Sequence, residues 1–443
     1  MSSITDRSQN KSNKKREDKK DESSSDDKLT DDFSEEELDK LETKNKEETQ
    51  KTMRNVPIAV ASLSNAKVRT IYTLIMLFSF IIIIAAGAFY CALLITAITA
   101  GIFREIINLK RKTAREYRIP YFYLLNWYFF FVGVFYFYGA FYTSKISEET
   151  TLPDYVRSIL TYHKFASFSL WIFGFLVFVL SLTQGYYRYQ FRLFGWTHLT
   201  ILIVVAQTSV IVSNLYQGLV WFILPALLVI SNDIFAYIFG KLFGKTKLIQ
   251  LSPNKTWEGF IGGFFSSLFF AVFFSYMFQN IPYLICQNDI QTISPFVFKS
   301  CNLEPFYIPS PLSNQFFAKT FPFNHIQLSQ FQIHSLYMCL FASLIAPFGG
   351  FFASGFKRAL SVKDFGTFIP GHGGLTDRMD CQLLMGTFTF CYLNYIIIGS
   401  VVSIIASINS NFKSLSLDNQ AKVLEQLMKL YEEKMNQSNT IQN

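Results

Sequence analysis

The residues best suited to chemistry lie in one polar stretch, Ser354 to Asp380, between two apolar segments long enough to cross a bilayer. Its cations suit a polyphosphate, because lysine offers a point charge and arginine a bidentate fork. Its aspartates suit Mg²⁺, a hard ion held by a few carboxylates together with phosphate oxygens of a substrate. Its glycines allow backbone N–H groups to approach an anion. The stretch therefore predicts a metal-assisted phosphoryl- or nucleotidyl-transfer site. The residues concerned are Lys357, Arg358, Lys363, Asp364, Gly366, Gly371, His372, Gly373, Gly374, Asp377, Arg378 and Asp380.

Basic residues beside a membrane also serve as orientation signals or contact anionic lipid. That alternative explains the lysines and arginines of the stretch. It predicts neither the interleaved carboxylates nor the Pro-Gly-His-Gly-Gly turn that begins at Pro370. The interpretation as a site is therefore favoured.

A second polar group interrupts an apolar segment upstream, where Asp233 follows Ser231 and Asn232. An ionisable residue inside a membrane span marks a functional site by default, because its charge is costly there. The structural alternative is a carboxylate that only pairs with a nearby lysine. The chain then passes through several lysines to Leu251-Ser-Pro-Asn-Lys-Thr-Trp-Glu-Gly259.

The Ser-Pro-Asn-Lys-Thr sequence predicts the start of the next helix. Ser252 is expected to act as the N-cap and Pro253 as the first helical residue. The free N–H groups and the dipole of such a helix form an anion site, with Lys255 and Thr256 beside it. Helix starts of this kind also occur without a ligand, so the motif is weak evidence by itself.

Both stretches resemble the phosphatidate cytidylyltransferases (CDP-diacylglycerol synthases). The resemblance rests on S-G-F-K-R, K-D and I-P-G-H-G-G-L-T-D-R-M-D in the first, and on N-D-I-F-A-Y, F-G-K and S-P-N-K-T-W-E-G in the second. Pro347 to Gly355, Cys381 and Gln382 are similar to the eukaryotic branch, as are the upstream sequences L-N-W-Y-F, Y-R-Y-Q-F and W-T-H, to which we assign no chemistry. The similarity extends from about residue 66 to about residue 405.

The resemblance implies the reaction CTP + phosphatidate → CDP-diacylglycerol + diphosphate, carried out by a nucleotidyltransferase of phospholipid biosynthesis. It also implies Mg²⁺ as cofactor, with a second cation left open. The carboxylates expected to hold the metal are Asp364, Asp377 and Asp380. The cations expected to neutralise phosphate are Lys357, Arg358, Lys363 and Arg378. The residues expected to bind substrate are Asp233, Ser252, Lys255, Thr256, Gly371, Gly373 and Gly374, Asp233 by orienting a cation or Lys255.

His372 remains open among three roles: a phosphate donor, an acid for the departing diphosphate, and a residue that only stabilises the turn. Two other functions also remain open. A dolichol-type lipid kinase uses CTP as well but transfers its γ-phosphoryl group, and it resembles this signature more loosely. A transporter or other non-catalytic membrane protein would use the basic patch only to bind anionic lipid.

Composition places the chain among polytopic membrane proteins. Half of its 443 residues are hydrophobic, 49 are Phe, and several apolar runs reach the roughly 20 residues of a membrane-spanning helix. Of the net charge of +8, the part after residue 69 carries 25 Lys and Arg against 16 Asp and Glu. That surplus lies beside the membrane and indicates topology and phosphate binding, not nucleic acid. The six Cys form no C-x-x-C pair, so zinc is not expected.

The predicted fold is an all-α membrane protein with about nine spans and a cytosol-facing site. The spans are two within 70–103 that break near Gly87, then about 120–143, 165–183, 197–213, 217–240, 257–278, 334–352 and 383–408. Cation-rich segments at 104–118, 184–196, 241–256 and 354–380 are expected in the cytosol. The segments 144–164 and 279–332 and the C-terminus are then expected in the lumen.

Four regions follow from this pattern: a disordered charged tail (1–55), a juxtamembrane segment (56–69), a transmembrane catalytic domain (70–408) and a C-terminal tail (409–443). A disulfide between Cys286 and Cys301 in the lumenal loop is one of two open alternatives. The resemblance implies the endoplasmic reticulum membrane as location and the bilayer, CTP and phosphatidate as partners. A homodimer is left open.

Overall fold

The structure is a computed structural model that describes most residues between 58 and 429. The described ranges are 58–110, 122–147, 161–252, 254–288, 294–298, 301–311, 327–360, 362, 364–366, 368, 373–399, 412, 420, 422, 424–426 and 428–429. The predicted N-terminal tail, most of the C-terminal tail, and three predicted site residues, Lys363, Gly371 and His372, lie outside them.

The described chain is all-α apart from one very short strand pair, as its apolar runs predict. Its helices are α1 (Ile58–Ala86), α2 (Ala88–Lys110), α3 (Phe122–Ser147), α4 (His163–Leu180), α5 (Tyr187–Thr200), α6 (Ala206–Gln217), α7 (Val220–Phe243), α8 (Trp257–Phe278), α9 (Pro282–Ile285), α10 (Gln330–Leu344), α11 (Pro347–Ala359) and α12 (Thr376–Cys391). A π-helical segment, Ile201–Val205, joins α5 to α6, and a second one, Tyr392–Ile398, continues α12. Strands β1 (Ser310–Pro311) and β2 (Gln327–Leu328) pair antiparallel.

Eight helical segments of the described chain are long and apolar enough to cross a membrane, and the apolar part of α1, Thr70–Ala86, is shorter. Together they correspond one to one with the nine predicted spans. Gly87 separates α1 from α2, as predicted, and the seventh predicted span has the bounds of α8. The chain is therefore a multi-pass, all-α membrane protein.

Several predicted loops are helical instead. Residues 104–110 continue α2, and residues 187–196 form the first turns of α5. Residues 354–359 belong to α11, while α12 begins at Thr376 and not at Leu383. In each case a charged sequence was interpreted as a loop, although a helix that leaves the bilayer continues as long as its polar end can be solvated. The helical arms of the signature stretch are therefore longer than predicted.

The predicted start of α8 at Ser252 and Pro253 is wrong. The helix begins at Trp257, and Thr256 is the N-cap, with its hydroxyl accepting the Gly259 N–H at 3.2 Å. Residues 246–248 pair with residues 255–257 through two backbone hydrogen bonds, Leu248 N–H to Lys255 O and Trp257 N–H to Thr246 O. This pairing keeps Thr256 extended, so helical geometry cannot begin before Trp257.

The core surrounds α6 and α7, where Leu215, Leu219 and Leu224 are fully buried. Helix α12 packs against α6, α7 and α11, and α7 packs along α8. The upstream motifs form contacts within this arrangement: Thr197 Oγ1 donates to Asn126 Oδ1 at 3.0 Å, and Trp196 stacks on Phe356 of α11. These motifs therefore position the helices that carry the polar stretches.

The long connection between α8 and α10 lies at the end of these helices opposite to the signature stretch. Cys286 and Cys301 form a disulfide in it, which settles the alternative that the sequence left open. The connection is anchored where Ser329 Oγ donates to Gln279 Oε1 at 2.7 Å. Ser329 also caps α10 through the Gln332 N–H. Burial raises the pKa of the Tyr307 phenol in this region, and the nearby Glu304 raises it further.

Candidate active site

Helices α11 and α12 run side by side in opposite directions, and this brings the two ends of the signature stretch together. Gly349 of α11 lies so close to α12 that an added Cβ would stand 2.7 Å from the Asp380 carbonyl oxygen. Further along, the Lys357 ammonium lies 2.7 Å from Asp377 Oδ1, with 16% and 9% of the two side chains exposed. A mostly buried ion pair therefore joins the end of α11 to the first turn of α12.

The Asp377 carboxylate also organises the turn between these helices. Its Oδ2 accepts the N–H of Phe365 at 3.1 Å and the N–H of Gly374 at 3.2 Å. With Lys357, three donors surround this carboxylate. The Lys357 ammonium also lies 5.6 Å from the centre of the Phe365 ring. Asp377 thus holds α11, the Phe365 segment and the glycine-rich turn in one arrangement.

Gly373 brings a second carboxylate to the same place. Its φ of 82° lies in the left-handed region, which glycine adopts without strain. A Cβ on Gly373 would stand 3.5 Å from Asp377 Oδ2 and 3.7 Å from Asp364 Oδ1, so the two carboxylates flank this residue. Asp364 itself is exposed.

Glu105 of α2 is the site residue that the sequence reasoning missed. Its carboxylate accepts the N–H groups of Leu375 and Thr376, both at 2.9 Å, and the Thr376 hydroxyl at 2.8 Å. Only 9% of the residue is exposed. It therefore satisfies free N–H groups at the start of α12 from a helix 270 residues away, with its negative charge at the positive end of the helix dipole.

The glycines next to Glu105 are required by its position. A Cβ on Gly366 or on Gly374 would stand 2.7 Å from one of the Glu105 carboxylate oxygens. The sequence did contain a signal: Glu105 is the first acid after an uncharged run of 34 residues, separated from it only by Arg104. It was obscured by the cations around it, which indicated a solvated loop.

The second polar constellation reaches the same place from α7 and α8. The Lys255 ammonium lies 4.0 Å from Asp233 Oδ1, and about half of each side chain is exposed. Asp233 also interacts electrostatically with Arg378 and with Asp380 of α12. The Gln382 side chain donates to the Ala226 carbonyl at 3.2 Å, which fixes α12 against α7. The structure therefore brings the two sequence stretches together.

The connection before α8 is held by Glu258 as well as by backbone pairing. The Glu258 carboxylate accepts the N–H groups of Lys245 and Thr246 and the Thr246 hydroxyl. Ser252 lies in the turn of this connection, where its carbonyl accepts the Lys255 N–H. Lys255 thus belongs to a short turn that is held both by backbone pairing and by Glu258, and it lies next to the N-cap residue Thr256.

The predicted acids do not gather around one point. Among the residues that the structure describes, no group of three or more His, Cys, Asp or Glu side chains could hold a metal ion. There are two pairs instead: Asp364 with Asp377 around Gly373, and Asp233 with Asp380 between α7 and α12. Mg²⁺ commonly uses one or two carboxylates together with water and substrate phosphate, so such pairs fit it.

The chain is similar to known proteins over most of its length. The sequence model of the cytidylyltransferase family matches residues 67–396. A protein of Arabidopsis thaliana named phosphatidate cytidylyltransferase 1 is 38% identical over 374 residues, covering 83% of this chain and 88% of the plant protein. The human protein of that name is 41% identical over 373 residues (83% and 76%), and the Caenorhabditis elegans phosphatidate cytidylyltransferase is 43% identical over 343 residues (74% and 71%).

Proposed function

The chain belongs to the cytidylyltransferase family, and from this premise we propose that it transfers the cytidylyl group of CTP to phosphatidate, releasing diphosphate. One observation carries the proposal. The group around Lys255 and Asp233 and the group around Lys357 and Asp377 lie together at one end of helices that are long and apolar enough to span a membrane. A lipid phosphate and a water-soluble nucleotide can both reach such a place. Relatives named phosphatidate cytidylyltransferase support the same reaction.

The chemistry joins one anion to another. A phosphate oxygen of phosphatidate forms a bond to the α-phosphorus of CTP, and the bond from that phosphorus to the oxygen bridging to the β-phosphate breaks. A phosphate monoester is largely ionised at neutral pH, so the attacking oxygen needs little help from a base. The protein must instead neutralise charge and align the reacting groups.

The exposed cations are placed to neutralise that charge. Arg358 and Arg378 are exposed at facing ends of α11 and α12, and Lys255 approaches from the turn before α8. Lys357 has its ammonium fixed by Asp377, so it supplies a positive charge at a defined place. Ser252, Thr256, Gly373 and Gly374 remain proposed phosphate contacts, as do Lys363, Gly371 and His372, which lie outside the described residues.

Mg²⁺ is the proposed cofactor, held by Asp364, Asp377 and Asp380, with Asp233 beside Asp380. When bound, the ion supplies positive charge to phosphate oxygens around the reacting phosphorus. Two separate acid pairs favour the second cation that the sequence left open. Asp377 already accepts from three donors, so Asp364 and Asp380 are expected to contribute more to metal binding than Asp377.

We further propose that the enzyme works in the endoplasmic reticulum membrane. The site would take CTP from the cytosol and phosphatidate from the adjacent leaflet. The homodimer that the sequence left open remains open.

Labelled CTP tests the proposal. The purified chain is incubated with phosphatidate, Mg²⁺ and CTP that carries radioactive phosphorus at either the α- or the γ-position. We expect the α-label to enter the lipid and the γ-label to leave as diphosphate. Entry of the γ-label into lipid would show a kinase of the dolichol type, and entry of neither label would exclude both enzymes. Asp380→Asn protein is the control for contaminating activity.

A further inference from the structure

An apolar groove runs along the seam between α10 and the second half of α12, continuing into the π-helical segment. Its volume is about 530 Å³, and it is widely open. Its floor is the ring stack of Phe341 and Phe388, whose centroids lie 3.8 Å apart with the planes nearly parallel. Leu344 forms one wall, and Cys391 and Tyr395 form the other. Leu344, Cys391 and Tyr395 are exposed, so the groove opens to the surroundings of the helices.

The groove lies on the same face of α12 as Asp380. Residues 380, 384, 388 and 391 follow one another at intervals of three or four, and such residues share one side of an α-helix. Above the groove, the Asp380 carboxylate faces Gly350 of α11, where an added Cβ would stand 3.5 Å from Asp380 Oδ2. The seam between α10–α11 and α12 thus has the candidate active site at one end and the groove further along it.

The upper part of the groove lies within reach of a lipid chain whose phosphate is bound at this site. Phe388 lies eight residues beyond Asp380, or about 12 Å along the helix, and Tyr395 lies about 22 Å along it. One leaflet contributes about 15 Å of hydrocarbon. A chain whose phosphate is held near Asp380 therefore reaches the upper part of the groove with its end.

The hydroxyl of Tyr392, at the far end of the groove, is engaged within the protein. The Tyr392 hydroxyl bonds to His334 Nδ1 at 2.7 Å, so Tyr392 presents its ring to the groove. The π-helical geometry that starts at this residue is frequently found at functional sites. We propose that the groove holds one acyl chain of the phosphatidate substrate and makes the enzyme sensitive to chain length; this rests on the proposed function.

The groove is expected to affect kcat/KM through the shape of the acyl chain that it accepts. A chain that moves from the bilayer into the groove exchanges one apolar environment for another, so it gains little from the hydrophobic effect. Its contribution is therefore discrimination: with the phosphate held near Asp380, a groove filled by a larger side chain displaces a long chain and with it the phosphate, and it has no effect on a chain too short to enter. One extra or missing methylene group in an apolar pocket changes kcat/KM by about 10- to 200-fold.

The test compares dioleoyl phosphatidate with dioctanoyl phosphatidate, whose chains end near the top of the groove. Cys391→Trp and Leu344→Trp each fill the groove from a different wall. We expect kcat/KM for dioleoyl phosphatidate to fall about 10-fold, with a much smaller change for the dioctanoyl lipid. Leu176→Trp, on a lipid-facing position of α4 where 54% of the residue is exposed, is the matched control and should leave the ratio unchanged.

Each other result overturns the proposal. If both substrates lose activity equally and the variants also change the oligomeric state, the groove is an interface with a second copy of the chain. If neither variant alters the ratio of the two kcat/KM values, the groove holds bulk lipid only. If the wild-type chain converts neither phosphatidate, the proposed function fails and this inference fails with it. If the wild-type chain converts both lipids, the proposed function stands, and only the inference about the groove is then tested by the variants.

Discussion

Asp377 and Asp380 lie three residues apart on α12, but their carboxylates have different surroundings. Asp377 is bound by an ammonium and two backbone N–H groups. Asp380 accepts the N–H of Cys381 and faces the charge of Asp233. The two aspartates are therefore expected to have different roles although they are neighbours on one helix. The same substitution at each position separates these roles.

We expect Asp380→Asn to fold and insert normally but to lose nearly all turnover, because asparagine keeps the size of the side chain and removes the charge that a hard cation requires. The measurement is kcat of monodisperse protein at saturating Mg²⁺, together with thermal unfolding. Retention of more than about a tenth of the wild-type kcat, a difference of about 1.4 kcal/mol, would exclude Asp380 as a metal ligand.

Asp377→Asn should lower stability as well as activity. Removing one partner of a mostly buried ion pair leaves the other charge unpaired and costs about 3–5 kcal/mol. The double variant Asp377→Asn with Lys357→Met should recover part of that loss, because no unpaired charge remains. The check is thermal or denaturant unfolding of the two single variants and the double variant. Unchanged stability of Asp377→Asn would show that the ion pair does not hold the turn.

Lys255→Ala should raise the KM for a phosphate-bearing substrate and lower kcat, because it removes a charge presented at the tip of a fixed turn. A charge-assisted contact contributes about 1.5–3 kcal/mol, or about 10- to 150-fold in kcat/KM. Lys247→Ala is the matched control, since Lys247 takes part in the same turn through its backbone. Kinetics equal to those of the control would remove Lys255 from the site.

At the scale of elements, the start of α12 depends on a residue of α2. In Glu105→Gln, an amide NH₂ replaces one carboxylate oxygen, and it cannot accept the N–H group that this oxygen accepts. We expect this variant to lose about 2 kcal/mol of stability and to lower kcat more than KM, because both aspartates of α12 move with the helix. The exposed Glu425→Gln is the control. A loss of stability with unchanged kinetics at permissive temperature would restrict Glu105 to a structural role.

The elements were predictable where one local signal dominated. Hydrophobic runs predicted every span, and the apolar run of the seventh predicted span coincides with α8 because charged residues precede it. The N-cap of α8 was predicted wrongly, because Thr256 and Ser252 are both good N-caps and the choice depends on backbone pairing with residues 246–248. The signature residues of the site were predicted from their types, whereas Glu105 required a contact across 270 residues.

At the scale of the whole molecule, the helices separate two chemically different ends. The lysine turn before α8 and the start of α12 lie at one end, and the disulfide-bonded connection with Cys286 and Cys301 lies at the other. Positive charge favours the cytosolic side of a membrane, and disulfides persist in the oxidising lumen. Both signals predict the same orientation, with the site in the cytosol and the connection in the lumen.

This orientation can be tested in sealed microsomes. Single cysteines are introduced at positions 248 and 310 after replacement of the four free cysteines, Cys91, Cys339, Cys381 and Cys391, while the disulfide is kept. An impermeant thiol reagent should label position 248 in intact vesicles and position 310 only after the membrane is opened by detergent. The physical reason is that a charged reagent cannot cross about 30 Å of hydrocarbon. Labelling of both positions in intact vesicles would place both ends of α8 on one side, and the site could not then be assigned to the cytosolic face.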